Sequence, residues 1–272
     1  MTGKHILIFD SGMGGLTVVR AIRQTGPDAH LTYAADNAAF PYGDWREDAL
    51  VDRIVHVVGA LNEITRPDII VVACNTASTL ALAALRKAVD RQFVGTVPAI
   101  KPAAAATRSN IIGVLATPGT VERDYTQALI HTFAYHCKVF LHGAPRLADM
   151  AEAKLKGTPP NLDDLRREIA PVFRERAGAR TDTVVLGCTH YPLLLDDLKA
   201  AAPWPVTFID PAPAIARRTM AVLAETRPKP TAPAAPHAGK VLFTAPRGIS
   251  QPQLAAYAAC GFTEHEVVDL PI

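Results

Sequence analysis

The chain has 272 residues, 49% of them hydrophobic and 20% charged, with 28 Lys and Arg set against 26 Asp and Glu. That length suits one large or two ordinary domains with a well-buried core, and the balance is that of a globular protein rather than a disordered one. A net charge of +2 offers no bulk field for nucleic acid or an anionic membrane.

Strand-like and helix-like segments alternate along the chain. "HILIFD" (5–10) is a short apolar run of strand type, and "GLTVVRAIRQT" (15–25) follows with helical spacing. "HLTYAAD" (30–36) is a second strand, then a helical pattern runs from Trp45 to Ile64. "DIIVVA" (68–73) precedes a helix over "TLALAALRKAV" (79–89). "FVGTV", "IIGVLAT", "KVFLHG", "TVVLG", "VTFID" and "KVLFTA" continue the strand series, and "DDLRREI" (163–169) reads as a solvated helix face. Continuous apolar strands bounded by turns and separated by helices predict parallel sheets covered on both faces, an α/β fold. The Pro/Ala-rich stretch "RPKPTAPAAP" (227–236) resembles a linker. The piece after it is too short for a domain, so the tail is expected to rejoin an earlier sheet.

The apolar run Ile6–Phe9 is too short for a signal-peptide core or a membrane span, so a cytoplasmic location is expected. There Cys74, Cys137, Cys188 and Cys260 are expected to be reduced. None lies in a C-x-x-C pair, which argues against structural zinc.

Two phrases echo each other: "VVACNT" (71–76) and "VVLGCTH" (184–190). Each places a cysteine at the carboxyl end of a strand and the start of the next helix, the edge where open parallel sheets hold ligands. A thiol there is favoured as thiolate by the helix dipole, and Asn75 and Thr76 supply hydrogen-bonding groups. Taken alone, Cys74 also reads as the end of a buried strand. Beside Cys188 stands His190, able to move a proton near neutral pH or simply to cap a helix. Pro192 suits the first turn of a helix "PLLLDDLKA". Asp10-Ser11-Gly12 closes the first strand before Met13-Gly14-Gly15, but the glycine spacing fits neither a dinucleotide nor a Walker loop. Asp10 suits a cationic group or a base, and equally a turn. "FPYG" (40–43) makes a rigid turn in which Tyr42 offers a hydroxyl. Cys137 and Cys260 have no polar neighbours in sequence and read as structural.

"FDSGMGGLTV", "DNAAFPYG", "VVACNTAS", "ATPGTV" and "VVLGCTHYPLL" together resemble the glutamate racemase family, its proteobacterial type, over nearly the whole chain. The resemblance implies two similar α/β domains facing a cleft, residues 1–97 with 208–272 carrying Asp10 and Cys74, and 98–207 carrying Cys188 and His190. It implies an isomerase that interconverts L-glutamate and D-glutamate with no cofactor and no metal, for peptidoglycan synthesis. Cys74 would act on D-glutamate with help from Asp10, and Cys188 on L-glutamate with help from His190. Ser11, Pro41, Tyr42, Gly43, Asn75, Thr76, Thr189 and Glu152 would line the substrate site. A homodimer is implied, with a cell-wall precursor as activator. Pro211, where the family more often has Ser, Met13, where Val or Ile is usual, and "VERDYT" depart from the common pattern.

Other readings remain. Aspartate or hydantoin racemases share the two-cysteine plan, and the intact "PYG" and "CNTAS" segments favour glutamate over them. A thiol hydrolase would need only Cys188 and His190 and leaves Cys74 unexplained. A bilobal amino-acid-binding protein would bind without exchanging the α-hydrogen, and a pyridoxal-phosphate racemase would absorb near the visible edge.

Overall fold

The computed structural model describes residues 4–26, 28–226 and 239–270; the Pro/Ala-rich stretch 227–236 lies outside them. The chain divides into two compact units, Met1–Thr96 with Ala212–Ile272, and Val97–Pro211.

The first unit runs β1 (His5–Asp10), α1 (Leu16–Thr25), β2 (His30–Ala35), α2 (Glu47–Thr65), β3 (Ile69–Val72), α3 (Asn75–Ala88) and β4 (Gln92–Gly95). The second contains α4 (Ile100–Ala106), β5 (Ile111–Ala116), α5 (Pro118–Val121), α6 (Asp124–Phe133), β6 (Lys138–Gly143), α7 (Leu147–Leu155) and α8 (Leu162–Ile169). It continues with β7 (Glu175–Arg176), β8 (Ala179–Arg180), β9 (Thr183–Gly187), α9 (Leu195–Ala201) and β10 (Thr207–Ile209). The chain then completes the first unit with α10 (Ala212–Glu225), β11 (Lys240–Phe243), α11 (Gln251–Ala258) and β12 (Glu264–Val267).

The first unit's sheet has the order β12-β11-β2-β1-β3-β4 and the second unit's has β10-β9-β5-β6. Every pairing in both is parallel. The tail rejoins the first sheet, as the sequence suggests, with Val241 opposite Tyr33. Read from the appropriate edge, both sheets contain the same four-strand progression: β2-β1-β3-β4 in one and β6-β5-β9-β10 in the other. The chain in each starts in the middle, steps one way, then crosses back over its first strand. Such a reversal opens a crevice at the carboxyl ends of the two central strands, β1 and β3 or β5 and β9.

Burial explains why these segments are strands. All six residues of β1 and of β5 are buried, as expected where helices cover both faces of a parallel sheet. Leu7, Phe9, Ile70 and Val72 form one core with Ile54, Val57 and Leu61 of α2 and Ala81 and Leu85 of α3. In the second unit, Leu115, Val184 and Leu186 pack with Leu147, Leu165, Ile169 and Leu198. The charged face expected on α8 is present: Arg166 pairs with Asp163 and Arg167 with Asp164, Asn161 caps the helix by accepting from the Asp163 and Asp164 amides, and Leu165 and Ile169 turn inward.

Local details depart from the sequence reading. Helix α3 starts at Asn75 rather than Thr79, because the polar residues after Cys74 form its first turn. Pro192 lies in a 3-10 turn, Tyr191–Leu194, and α9 begins only at Leu195. The β7–β8 hairpin was not foreseen: its strands are two residues each, joined by Ala177 and Gly178 at positive φ, too short for a periodic signal. No helix among the described residues is long and apolar enough to cross a membrane.

Gly187 ends β9 where β5 comes closest; a Cβ there would lie 2.9 Å from Ala116 Cβ and 3.0 Å from Leu115 O. Overpacking of this kind costs about 1–3 kcal/mol, so Gly187→Ala should lower the urea midpoint. In mid-α2, a Cβ on Gly59 meets nothing within 4 Å, and Gly59→Ala should raise the midpoint by relieving a helix glycine that costs about 0.5–1 kcal/mol.

Candidate active site

In the first unit the residues that follow β1, β2 and β3 gather at one sheet edge, since Asp10 pairs with Ala35 and Phe9 with Val72. Asp10 is fully buried, and its Oδ1 accepts from the Gly12 amide at 2.8 Å, closing the turn. Ser11 Oγ lies 3.7 Å from Cys74 Sγ, within hydrogen-bond range for sulfur. Cys74 is buried and is the N-cap residue of the 14-residue α3. There the positive end of the helix dipole favours thiolate. Asn75 and Thr76 form the first turn and are buried with it. Both polar atoms of the Asn75 amide, 1% exposed, have no hydrogen-bond partner among the described residues. Such groups are rare in folded proteins and costly unless a ligand satisfies them.

The loop after β2 carries a cis Phe40–Pro41 bond and a 3-10 turn at Tyr42–Asp44. Tyr42 is buried, and the hydroxyl that the sequence seemed to offer a ligand instead donates to Asp36 Oδ2 at 2.7 Å. Burial, followed by the charges of Asp36 and Cys74 and the Asp36 hydrogen bond, holds this phenol well above its ordinary pKa, although Arg53 opposes them. It therefore stays a neutral donor. Gly43 has open space around its Cα.

In the second unit Ala116 pairs with both Gly187 and Gly143, so the residues after β5, β6 and β9 share one edge. Cys188 is buried, and its Sγ lies 3.7 Å from His190 Nδ1. His190 Nε2 is 3.0 Å from Glu152 Oε1 on α7. Glu152 is 6% exposed, and its other oxygen faces Lys156 Nζ at 3.4 Å. Burial is the largest single influence on His190 and favours the neutral ring. The hydrogen bonds and charges of Cys188 and Glu152 together outweigh it and raise the imidazole well above its ordinary pKa. A thiol, an imidazole and a carboxylate thus stand in line, an arrangement able to draw a proton from sulfur and hold it. Thr189 is buried beside them, and Thr117 Oγ1 and Thr120 Oγ1 are 2.9 Å apart just beyond β5.

The two thiols occupy equivalent topological positions but different surroundings. The expectation that each begins a helix holds for Cys74 only. Cys188 is followed by a 3-10 turn, and its charge partner is the imidazole instead. Glu152, placed by the sequence among substrate-lining residues, sits behind His190 rather than on an open helix face. Cys137 is half-buried and Cys260 buried, and all four cysteines are free thiols. Asp36, Arg53, Thr117 and Thr120 were not singled out from the sequence. The threonines had a usable signal, being hydroxyls just past a strand end; Asp36 and Arg53 had none, since single charged residues look solvated until burial is known.

Two parallel units of matching strand order, each presenting a buried thiol at its switch point, define an α/β protein with paired strand-end thiols. Residues 16–219 match the Asp/Glu/Hydantoin racemase family, and the chain belongs to that family. It is 55% identical over 225 residues to the glutamate racemase of Brucella anthropi, covering 82% of this chain and 81% of that protein. Among solved structures it resembles the Escherichia coli glutamate racemase in complex with L-glutamate and activator UDP-MurNAc-Ala, at 42% identity, TM-score 0.90 and 99% of each chain. A glutamate racemase isoform from Bacillus anthracis matches at 29% identity and TM-score 0.81 over 100% of each chain.

Because His190 is raised, its charged form stabilises the fold below its unfolded pKa, and that contribution is lost as pH rises through the folded pKa. Glu152→Gln removes one of the two supports, so the His190 ring resonance should titrate at lower pH in NMR. An unmoved titration would show that Glu152 does not act on the ring.

Proposed function

We propose that the chain interconverts L-glutamate and D-glutamate by a two-base proton transfer, providing D-glutamate for peptidoglycan. The observation that carries this reading is the pair of thiols at equivalent strand ends, each with its own means of holding charge. Inversion at Cα needs one group to remove the hydrogen from one face and another to deliver a proton to the opposite face. In this reading Cys74 as thiolate takes the proton of D-glutamate while Cys188 as thiol donates; in the reverse direction the roles exchange. Atoms balance, with one thiolate and one thiol before and after.

Asp10 assists Cys74, and His190, held by Glu152, assists Cys188. Ser11, Asn75, Thr76, Thr189 and the Pro41-Tyr42-Gly43 turn hold the substrate's carboxylates and ammonium; the buried, unpartnered Asn75 amide supports this most directly. The Cα–H beside a carboxylate is a very weak acid, and general-base help supplies only about 10²–10⁴-fold. Fixed hydrogen-bond donors around the developing charge supply more. Glutamate, rather than another family substrate, is supported by relatives of 55% and 42% identity that are glutamate racemases. The activator named for the Escherichia coli structure supports activation of this chain by a cell-wall precursor as well.

Incubation with L-glutamate in D₂O should erase the α-proton NMR signal and generate D-glutamate, with L-aspartate little changed. Exchange of aspartate instead would move the substrate within the family, and glutamate binding without exchange would defeat the reading. Cys188→Ala should lose racemisation yet keep slow washout from D-glutamate alone, and Cys74→Ala from L-glutamate alone. Washout from the same enantiomer in both variants would reject the two-base assignment.

A further inference from the structure

Asp36 follows β2, is fully buried, and receives four hydrogen bonds. Arg53 Nε donates to Oδ2 at 2.8 Å and its Nη2 to Oδ1 at 2.5 Å. Tyr42 donates to Oδ2 and Thr244, just after β11, to Oδ1 at 2.6 Å. Arg53 itself is 4% exposed on α2, and its guanidinium also lies over the Trp45 ring, 5.8 Å from the centroid. Trp45 in turn donates to Ala39 O at 2.9 Å. One buried cation therefore touches the first residue of the loop 36–45, through Asp36, and the last, through Trp45. Between them lie Pro41, Tyr42 and Gly43.

A buried ion pair is a poor source of net stability, because desolvation cancels much of the attraction. A planar fork is nevertheless well suited to fixing direction, and a lysine does not reproduce it. On the reading that residues 41–43 line the substrate site, we propose that Arg53 is a positioning residue for substrate binding, holding that turn through Asp36, Tyr42 and Trp45. It touches no substrate. Loss of the fork lets Asp36 turn, the Tyr42 hydroxyl loses its fixed acceptor, and the turn drifts from the geometry that receives a carboxylate.

The test compares wild type, Arg53→Lys, and Arg53→Gln combined with Asp36→Asn, which removes both buried charges together. In Arg53→Lys, deuterium uptake measured by mass spectrometry should rise over residues 36–46 while peptides covering β1 and β3 keep wild-type rates. KM for both glutamate enantiomers should rise about tenfold while kcat falls less than about threefold. The neutral double variant should melt close to wild type yet keep the raised KM, and it carries both measurements if the lysine variant does not fold. Unchanged uptake and KM overturn the proposal, as does a loss of kcat and KM together that merely follows a lowered melting temperature. If wild-type protein exchanges no α-proton, the glutamate reading fails separately. Uptake then decides the clamp alone: a rise confined to 36–46 upholds it, and a uniform or absent rise removes it.

Discussion

Parallel pairing is the constraint on which the rest of each unit depends. In a parallel sheet all strands point their carboxyl ends to one edge, and helices seal both faces. The strands β1, β3, β5 and β9 are buried along their whole length and mostly apolar. The polar clusters around the two thiols collect where the strands stop. The registers Asp10 with Ala35 and Phe9 with Val72 bring the turn after β1, the loop after β2 and Cys74 to one edge. The registers of Ala116 with Gly187 and Gly143 do the same around Cys188.

Within that shared plan the two thiols are served by different electrostatics. Helix α3 begins directly after Cys74, so aligned peptide dipoles and the Ser11 hydroxyl meet the sulfur. After Cys188 the backbone winds into a 3-10 turn, which presents no comparable helix terminus. An imidazole braced by a carboxylate stands there instead. The His190 ring is buried, which alone would discharge it, and its two acidic neighbours reverse that preference. Under the proposed mechanism a thiol must serve as acid in one direction and base in the other. One thiol faces a helix terminus and the other an imidazole.

Asp36 shows how the loop after β2 gains a defined position although it has little regular structure. A carboxylate with no exposure is tolerable only with its charge and hydrogen-bonding capacity met. Arg53, Tyr42 and Thr244 meet both. Thr244 comes from beyond β11, about two hundred residues along the chain, so docking of the tail as strands of the first sheet also completes the surroundings of a loop next to β2. The Tyr42 phenol is turned toward this network.

The sequence by itself determined the α/β class, most strand positions, the return of the tail to an earlier sheet and the recurrence of a cysteine, Cys74 and Cys188, at two strand ends. These are legible because strand burial, helical periodicity and a repeated strand-end motif are local patterns. Tertiary structure decided the rest. Glu152 reads equally as a solvated helix carboxylate until α7 packs it against His190. Tyr42's hydroxyl has no direction in a string of letters. Asp36 and Arg53 are seventeen residues apart, and their buried pairing is known only from the fold. The equivalence of the two thiols likewise emerges from strand order, since crossing back over the first strand in each sheet is a property of the fold. Burial and direction are set by contacts distant in sequence, and no local pattern encodes them.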